Sequence, residues 1–319
     1  MNGAPPTQRK VIIDTDPGID DAVALLLALA SPEELEVLGI VAVAGNLPLA
    51  LTERNAQRVC ELAARPDITV YAGCARPLLR LLATAAAIHG DALGERLGLP
   101  EPTMPPQARH GIDFMIEVLR GAEPGSVTLC ALGPLTDIAM ALVKAPDIAT
   151  QIGELVMLGG AAFEIGNVTP AAEFNIHVDP HAAAIVLESG MPITMIPLDV
   201  THQVLSTPPR LAALRALPNR TGPAVAALLD SFEAARTSRF GARGMALHDP
   251  CVIAYLLCPD LFRGRKVNVA VETASPLTLG MTIVDWWGVT DRVPNVNCMI
   301  EVEADRLYAL LADRLVLLP

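Results

Sequence analysis

The hydrophobic pattern of this chain alternates between two periods along most of its length. Short, unbroken apolar runs rich in β-branched residues predict strands at 11–13, 37–43, 68–71, 127–131, 154–158 and 193–196. The segments between them predict helices at 21–30, 49–63, 112–120, 136–145 and 180–188. Apolar strands that alternate with helices indicate a parallel sheet covered on both faces. The pattern therefore predicts an α/β fold with an open, mostly parallel, Rossmann-like sheet flanked by helices.

The last third of the chain has a different pattern. It predicts a long helical stretch at 208–236, a helix opening at His248 and a terminal helix from Ala304. Between the last two helices lie antiparallel-looking segments at 267–272, 281–285 and 298–302. The chain shows no internal repeat and no linker rich in Gly or Ser. We therefore expect a loose N-terminal arm at 1–10 and a single domain at 11–319.

Composition narrows the class of protein. Of 319 residues, 52% are hydrophobic and 18% are charged, which suits a folded domain. No uncharged apolar run reaches the roughly eighteen residues of a membrane span, and the polar start lacks the apolar core of a signal peptide. We therefore expect a cytoplasmic protein. The net charge of −12, without a basic tract, argues against nucleic-acid binding. Six scattered cysteines without a C-x-x-C pair predict reduced thiols.

Four carboxylates occur within eight residues after the first predicted strand: Asp14, Asp16, Asp20 and Asp21. No Lys or Arg occurs between residues 11 and 53 to neutralise them. Like charges packed at a strand end raise one another's pKa unless a cation joins them, and hard divalent ions prefer oxygen ligands. Helix capping explains one or two of these acids but not all four. The pattern therefore predicts a divalent metal site.

Other polar residues follow predicted strands, where ligands bind in open α/β sheets. Asn46 ends the second strand, and a polar loop after the fifth contains Asn167, Glu173 and Asn175. Amide and carboxylate groups of this kind match sugar hydroxyls, although such a loop is equally typical of an Asn-rich surface. The sequence His248-Asp249-Pro250 by itself is typical of a helix cap.

Taken together, these segments closely resemble the nucleoside hydrolase family, often called inosine–uridine preferring. The start D-T-D-P-G-I-D-D-A at 14–22 matches the family's hallmark almost letter for letter. The elements A-G-N, I-H-G, A-L-G-P-L-T, G-N-x-x-x-x-A-E-F-N, D-P-x-A-A, D-V-T-H and H-D-P follow in the family's order and spacing. The resemblance runs from about Val11 to the C-terminus and implies an N-ribohydrolase with the nucleoside hydrolase fold.

The resemblance also implies a role for each matching residue. It implies a tightly bound Ca²⁺ whose ligands are Asp16, Asp21, Asp249 and the main-chain oxygen of Leu132. It implies contacts to ribose from Asp20, Asn46, Leu158, Asn167, Glu173 and Asn175. Asp16 also resembles the general base for water, and His248 the acid that faces the leaving base. His89 resembles another residue on the base side. The family implies a homodimer or homotetramer acting on a small ribonucleoside, in salvage.

The chain departs from the family pattern at several positions. Leu132 stands where better-known members have Thr, and Leu158 replaces a methionine that packs beside ribose. The tyrosines that some members place upstream of the histidine are missing, and only Phe232 is aromatic within 231–236. The stretch 240–248 is one residue longer. The sequence therefore leaves both the preferred base and the acid role of His248 open.

Two other functions are compatible with part of the pattern. A haloacid-dehalogenase-like phosphatase also places D-x-D after a strand and binds Mg²⁺, but it leaves Asp20 and Asp21 unexplained. A non-catalytic, Ca²⁺-dependent nucleoside-binding protein would keep the pocket, but sugar binding alone does not require Asp16. Both alternatives predict that ribonucleosides are not hydrolysed.

Overall fold

A nine-stranded sheet forms the centre of the protein. The computed structural model describes residues 8–90, 92–240 and 244–319. Within these ranges the strands are β1 (Arg9–Thr15), β2 (Leu35–Ala42), β3 (Val70–Ala72), β4 (Val127–Ala131), β5 (Ile152–Leu158), β6 (Ile193–Ile196), β7 (Leu205–Ser206), β8 (Met245–Ala246), β9 (Phe262–Val271), β10 (Thr282–Asp285) and β11 (Val296–Val302). The main sheet has the order β10-β9-β11-β6-β5-β4-β1-β2-β3, and β7 and β8 form a separate antiparallel pair.

The seven strands from β11 to β3 are parallel, whereas β9 runs antiparallel to both β11 and β10. This confirms both the predicted open, mostly parallel sheet and the predicted antiparallel segments near the C-terminus. Parallel strands need helical crossovers, which the intervening helices supply. The carboxyl ends of β1, β2, β4, β5 and β6 therefore lie at one edge of the sheet.

The helices cover both faces of this sheet. They are α1 (Ile19–Leu29), α2 (Leu49–Leu62), α3 (Ala86–His89), α4 (Gly111–Gly121), α5 (Thr136–Lys144), α6 (Phe174–Val178), α7 (Pro180–Leu187), α8 (Leu198–Thr201), α9 (Pro208–Arg215), α10 (Thr221–Phe240), α11 (Pro250–Leu257) and α12 (Ala304–Leu315). Every residue of α1 is buried, which accounts for its lack of a polar face. Within the described ranges, no helix combines the length and the apolar character needed to cross a membrane.

Two hydrophobic cores lie on opposite faces of the sheet. Successive residues of β1 divide between them: Ile13 belongs to the core with α1 and α11, and Ile12 to the core with α4 and α5. This division follows from the alternation of side chains along a strand. The same alternation determines to which face of the sheet the polar side chains at the end of β1 point.

Several predicted boundaries differ from the structure by a few residues, and three of these differences have an identifiable cause or consequence. Strand β1 already begins at Arg9, because the backbone of Arg9 and Lys10 continues the ladder to β2 whatever their side chains. The first seven residues of the predicted arm lie outside the described residues. The predicted helix at 208–236 is two helices, since Pro218 lacks an N–H and disfavours helix at Leu217. The helix predicted to open at His248 begins at Pro250.

Candidate active site

The N-cap residue of α1 is Gly18, which has no side chain to cap the helix. Other side chains hold the loop between β1 and α1 instead. The Asp21 carboxylate accepts hydrogen bonds from the backbone N–H of Asp16 (3.2 Å) and of Gly18 (3.0 Å). It also accepts one from the Thr15 hydroxyl (2.7 Å). His89 Nδ1 accepts the N–H of Ile19 at 3.1 Å. The capping interpretation is therefore correct for Asp21, while His89 supplies an acceptor from a distant part of the chain.

Asp20, Asp21 and Asp249 form a buried carboxylate cluster, with one oxygen of each within 4.8 Å of the others. Asp249 precedes Pro250 at the start of α11, but its side chain makes no capping hydrogen bond. Burial, followed by the negative charges of Asp20, Asp21 and Asp16, raises the pKa of Asp249 well above its ordinary value. Asp249 therefore occupies the N-cap position that the sequence predicts, but its carboxylate caps no N–H group and belongs to this acidic cluster.

Asp16 lies beside this cluster and is fully buried. Its Oδ2 accepts the backbone N–H of Asn46 at 2.6 Å, whereas its buried Oδ1 has no donor among the described residues. The backbones of Gly45 and Gly133 approach the carboxylate so closely that a Cβ on either would overlap it. Burial and the charge of Asp21 raise the pKa of Asp16 well above its ordinary value. An ionised Asp16 therefore needs a cation nearby.

Asn46 joins the two parts of this centre. Its side-chain amide donates to Asp21 Oδ2 (3.0 Å) and to the main-chain oxygen of Asp16 (3.3 Å). A Gly-Asn turn alone would not require a buried amide with these partners. The structure thus brings Asp16, Asp20, Asp21, Asn46 and Asp249 together, as the ends of parallel strands predict.

The expectation that all four N-terminal acids share one ion is wrong for Asp14. It lies on the face of β1 that packs against α5, where its carboxyl group meets that of Asp137. Burial and the neighbouring Asp137 raise the pKa of Asp14 well above its ordinary value, and burial also raises that of Asp137. Asp137 also accepts the N–H of Cys74 at 2.7 Å. The two Asp14 oxygens and Asp137 Oδ2 have no donor among the described residues, and a proton held by Asp14 joins the two carboxyl groups without a cation.

The predicted ribose-binding loop after β5 also lies at this edge. Asn175 donates to the main-chain oxygen of Leu132 at 2.6 Å and to that of Leu158 at 3.4 Å, so it links the ends of β4 and β5. Glu173 caps α6 and accepts three backbone N–H groups, from Gly160, Asn175 and Ile176. Asn167 is buried, and its Oδ1 has no partner among the described residues. This amide oxygen is suited to receive a ligand hydroxyl.

The predicted base side contains a contact that sequence reasoning missed. His248 Nδ1 lies 2.8 Å from the hydroxyl oxygen of Thr201, and both residues are buried. The ring of His202 stands edge-on to that of His248, with 6.1 Å between centroids, and His202 Nδ1 contacts Glu164 at 3.1 Å. In the sequence, the D-V-T-H element after β6 is the feature that points to Thr201 and His202. The side chain of Phe232 lies outside the described part of the chain.

The carboxylates fit a divalent cation. Several buried carboxylate groups, raised pKa values and an Asp16 oxygen without a donor together describe a charge that the protein alone does not compensate. A carboxylate cluster at the carboxyl end of a parallel sheet is therefore a centre able to hold a metal ion. The structure is therefore that of an open α/β protein with an acidic centre, a class that includes metal-dependent hydrolases.

Comparison with known proteins agrees with this class. The profile of the inosine-uridine preferring nucleoside hydrolase family matches residues 11–309. An uncharacterized protein of Schizosaccharomyces pombe is 52% identical over 310 residues, covering 97% of this chain and 100% of its own. The pyrimidine-specific ribonucleoside hydrolase RihA of Salmonella gallinarum is 45% identical, covering 96% and 97%. The purine-preferring ribonucleoside hydrolase of Gardnerella vaginalis has a similar structure, with TM-score 0.89, 33% identity and coverage of 96% and 98%.

The chain belongs to the inosine-uridine preferring nucleoside hydrolase family. It is a ribonucleoside hydrolase, an enzyme that cleaves N-glycosidic bonds. The resemblance, the fold class and the enzyme class predicted from the sequence are thereby confirmed. The family membership decides against the phosphatase alternative.

Proposed function

We propose that the enzyme hydrolyses ribonucleosides to free base and ribose with Ca²⁺ as its cofactor and Asp16 as general base. The observation that carries the proposal is the Asp16 carboxylate, buried beside Asp20, Asp21 and Asp249 with one oxygen lacking a donor among the described residues. When bound, the ion would polarise a water molecule and orient the vicinal ribose hydroxyls. The unpartnered Oδ1 of Asp16 is the atom that would accept the proton of that water.

Ca²⁺ is proposed because of the donor set. Ca²⁺ accepts six to eight oxygen ligands in flexible geometry, whereas Mg²⁺ keeps several waters and is usually bound by one or two carboxylates. The ligands proposed from the family pattern are Asp16, Asp21, Asp249 and the main-chain oxygen of Leu132. That oxygen already accepts a hydrogen bond from Asn175, and its second lone pair can serve a cation. Asp20, which lies within the same cluster, is proposed to hold a ribose hydroxyl instead.

Ribose is proposed to lie between the acidic cluster and the loop after β5. Asn46 and Asp20 would contact its hydroxyls from one side, and Asn167, Glu173 and Asn175 from the other, with Leu158 packed against the ring. Breaking the ribosyl C–N bond builds positive charge on the sugar, and buried carboxylates aimed at it stabilise that charge more in the transition state than in the substrate. Three backbone N–H groups hold Glu173 in place for this task.

The leaving base is proposed to receive its proton from His248, with His89 on the same side. The named relatives differ in the base they accept, one being pyrimidine-specific and one purine-preferring. The higher identity to the pyrimidine-specific relative, 45% against 33%, favours uridine and cytidine. Substitution of His248 by Ala is expected to slow hydrolysis of uridine and inosine far more than that of p-nitrophenyl riboside, whose leaving group needs no proton. Equal losses on all three would remove His248 from this role.

A panel of ribonucleosides tests the proposal as a whole. Purified enzyme is treated with a chelator and dialysed, and ribose release is measured before and after adding Ca²⁺ or Mg²⁺. We expect release to stop on chelation and to return most fully with Ca²⁺. Full activity after removal of all divalent ions would contradict the metal role, and a stronger response to Mg²⁺ would contradict the choice of ion.

The remaining parts of the proposal concern the protein in the cell. We propose a homodimer or homotetramer, a cytoplasmic location and a role in nucleoside salvage. Light scattering of the purified enzyme measures its oligomeric state, and cell fractionation measures its location. Growth of a deletion strain on ribonucleosides as the carbon source tests the salvage role.

A further inference from the structure

Thr201 is a buried residue to which no role in the proposed reaction has been given. It is the last residue of α8, and its hydroxyl oxygen lies 2.8 Å from His248 Nδ1. The two residues are 47 positions apart in the chain, so this contact depends on the tertiary structure. A buried hydroxyl must find a partner, and many do so within their own helix. Here the partner is the histidine next to the cluster residue Asp249.

The segments that carry the two side chains are clamped together. The antiparallel pair β7–β8 joins the chain shortly after Thr201 to the chain shortly before His248. The N–H of Leu247 extends this pairing by donating to the main-chain oxygen of Val204 at 2.8 Å. The two ends of the intervening segment 207–244 are therefore held together by the β7–β8 pair. The same pair thus holds the segment that carries Thr201 next to the segment that carries His248.

Helix α8 is in turn fixed to the rest of the site. Its first residue, Leu198, donates its N–H to Gly160 at 2.9 Å. The carboxylate of Asp199 accepts three backbone N–H groups from the loop after β5, from Ala162, Phe163 and Glu164. A four-residue helix would be unstable alone, but these bonds tie it to the same loop that is proposed to contact ribose. The Thr201 hydroxyl is therefore a rigid reference point for the histidine ring.

We infer that Thr201 is a positioning residue. Its hydroxyl oxygen accepts a hydrogen bond from His248 Nδ1–H and orients the ring so that Nε2–H faces the leaving base. The inference rests on the proposed acid role of His248. In the step, the Nε2–H bond breaks, its proton forms a new N–H bond on the base, and the electron pair of the ribosyl C–N bond remains on the base. The proton on Nδ1 stays in place throughout, donated to the Thr201 oxygen. A hydroxyl can accept this bond both before and after the transfer.

The test uses the holoenzyme with Thr201→Val, which keeps the branched shape but removes the hydroxyl. We expect kcat for uridine and inosine to fall about tenfold, the scale of one lost hydrogen bond, with little change for p-nitrophenyl riboside. Thr201→Ser is expected to restore the nucleoside rates. Thr194→Val is the matched control, because it removes a buried hydroxyl in β6 that donates to Glu154 of β5, and it should lower all three rates equally or not at all. If the valine variant does not fold, Thr201→Ala takes its place.

A second measurement separates failure of the inference from failure of the proposed function. Thr201→Val is added to His248→Ala, and no further loss on uridine or inosine is expected, since the residue that Thr201 positions is gone. A further loss there, equal losses on the three substrates, or no rescue by serine would overturn the role of Thr201. Equal losses for His248→Ala alone would instead overturn the acid role, and the inference with it.

Discussion

Two groups of buried carboxylates lie at the end of β1, and their first members are only two residues apart. Asp16 meets Asp21 and stands beside Asp249, whereas Asp14 meets Asp137 near Cys74. In both groups burial and like charge raise aspartate pKa values. Both groups contain buried carboxylate oxygens without a donor among the described residues, but only the first gathers three further carboxylates around Asp16, a set that suits a cation. The second contains two carboxyl groups, which one shared proton joins.

The difference shows that a run of acidic residues does not by itself define a metal site. Asp14 lies within the strand and follows its alternation onto the face with Ile12 and α5. Asp16 follows the end of the strand, where the loop turns its carboxylate toward the backbones of Gly45 and Gly133. The same residue type at almost the same place in the sequence therefore has two different partners.

Replacing each acid by its amide should produce the largest difference between the two groups. Asp16→Asn removes the proposed general base and a cation ligand, so kcat should fall by roughly 10²–10⁴-fold and the affinity for Ca²⁺ should weaken. Asp14→Asn keeps a donor toward Asp137, and kcat should stay within about threefold. Ribose release and calcium titration of both variants measure this. Similar losses in the two variants would show that the groups are not separate.

Alanine substitution of one glycine beside each carboxylate group tests the same separation, with a smaller expected effect. A Cβ on Gly45 would overlap the Asp16 carboxylate, and a Cβ on Gly73 would overlap that of Asp137. Each alanine variant should lower the free energy of unfolding by about 1–3 kcal/mol through overpacking. Only Gly45→Ala should also weaken Ca²⁺ binding, because only it displaces a proposed ligand. Gly121→Ala, in open space at the end of α4, is the control. Loss of Ca²⁺ affinity in Gly73→Ala would contradict this separation.

The smallest expected effect is on the pH dependence of stability, to which both groups contribute. Raised pKa values mean that the folded, metal-free protein holds more protons than the unfolded chain above pH of about 4, the ordinary aspartate range. Its free energy of unfolding should therefore fall as pH rises from 5 toward 7.5, the range that thermal melts of chelated protein would cover. Saturating Ca²⁺ should flatten the slope, because it compensates the cluster around Asp16. The slope that remains should shrink further in Asp14→Asn. A chelated protein that melts higher at pH 7.5 than at pH 5 would refute the argument.

The sheet was largely predictable because apolar strand and helix periods are local properties. The six strands predicted in the first two thirds are all present, with bounds that differ by a few residues. The break between α9 and α10 was missed although Pro218 was visible, because the apolar pattern continues on both sides of it. The turn there is held by Asn219, which donates to Leu315 and Leu318 near the C-terminus. That is a long-range contact, which no local pattern contains.

The α/β class, the family and the set of acidic and amide residues at the strand ends follow from residue type and spacing, and they could be predicted from the sequence. Which of these residues meet became visible only in the folded structure. It separated Asp14 from Asp16, placed the carboxylate of Asp249 in a cluster instead of in a capping hydrogen bond, and joined Thr201 to His248. The physical reason is that side-chain direction and strand order are fixed by packing of the whole chain, so distant residues become partners only after the sheet has formed.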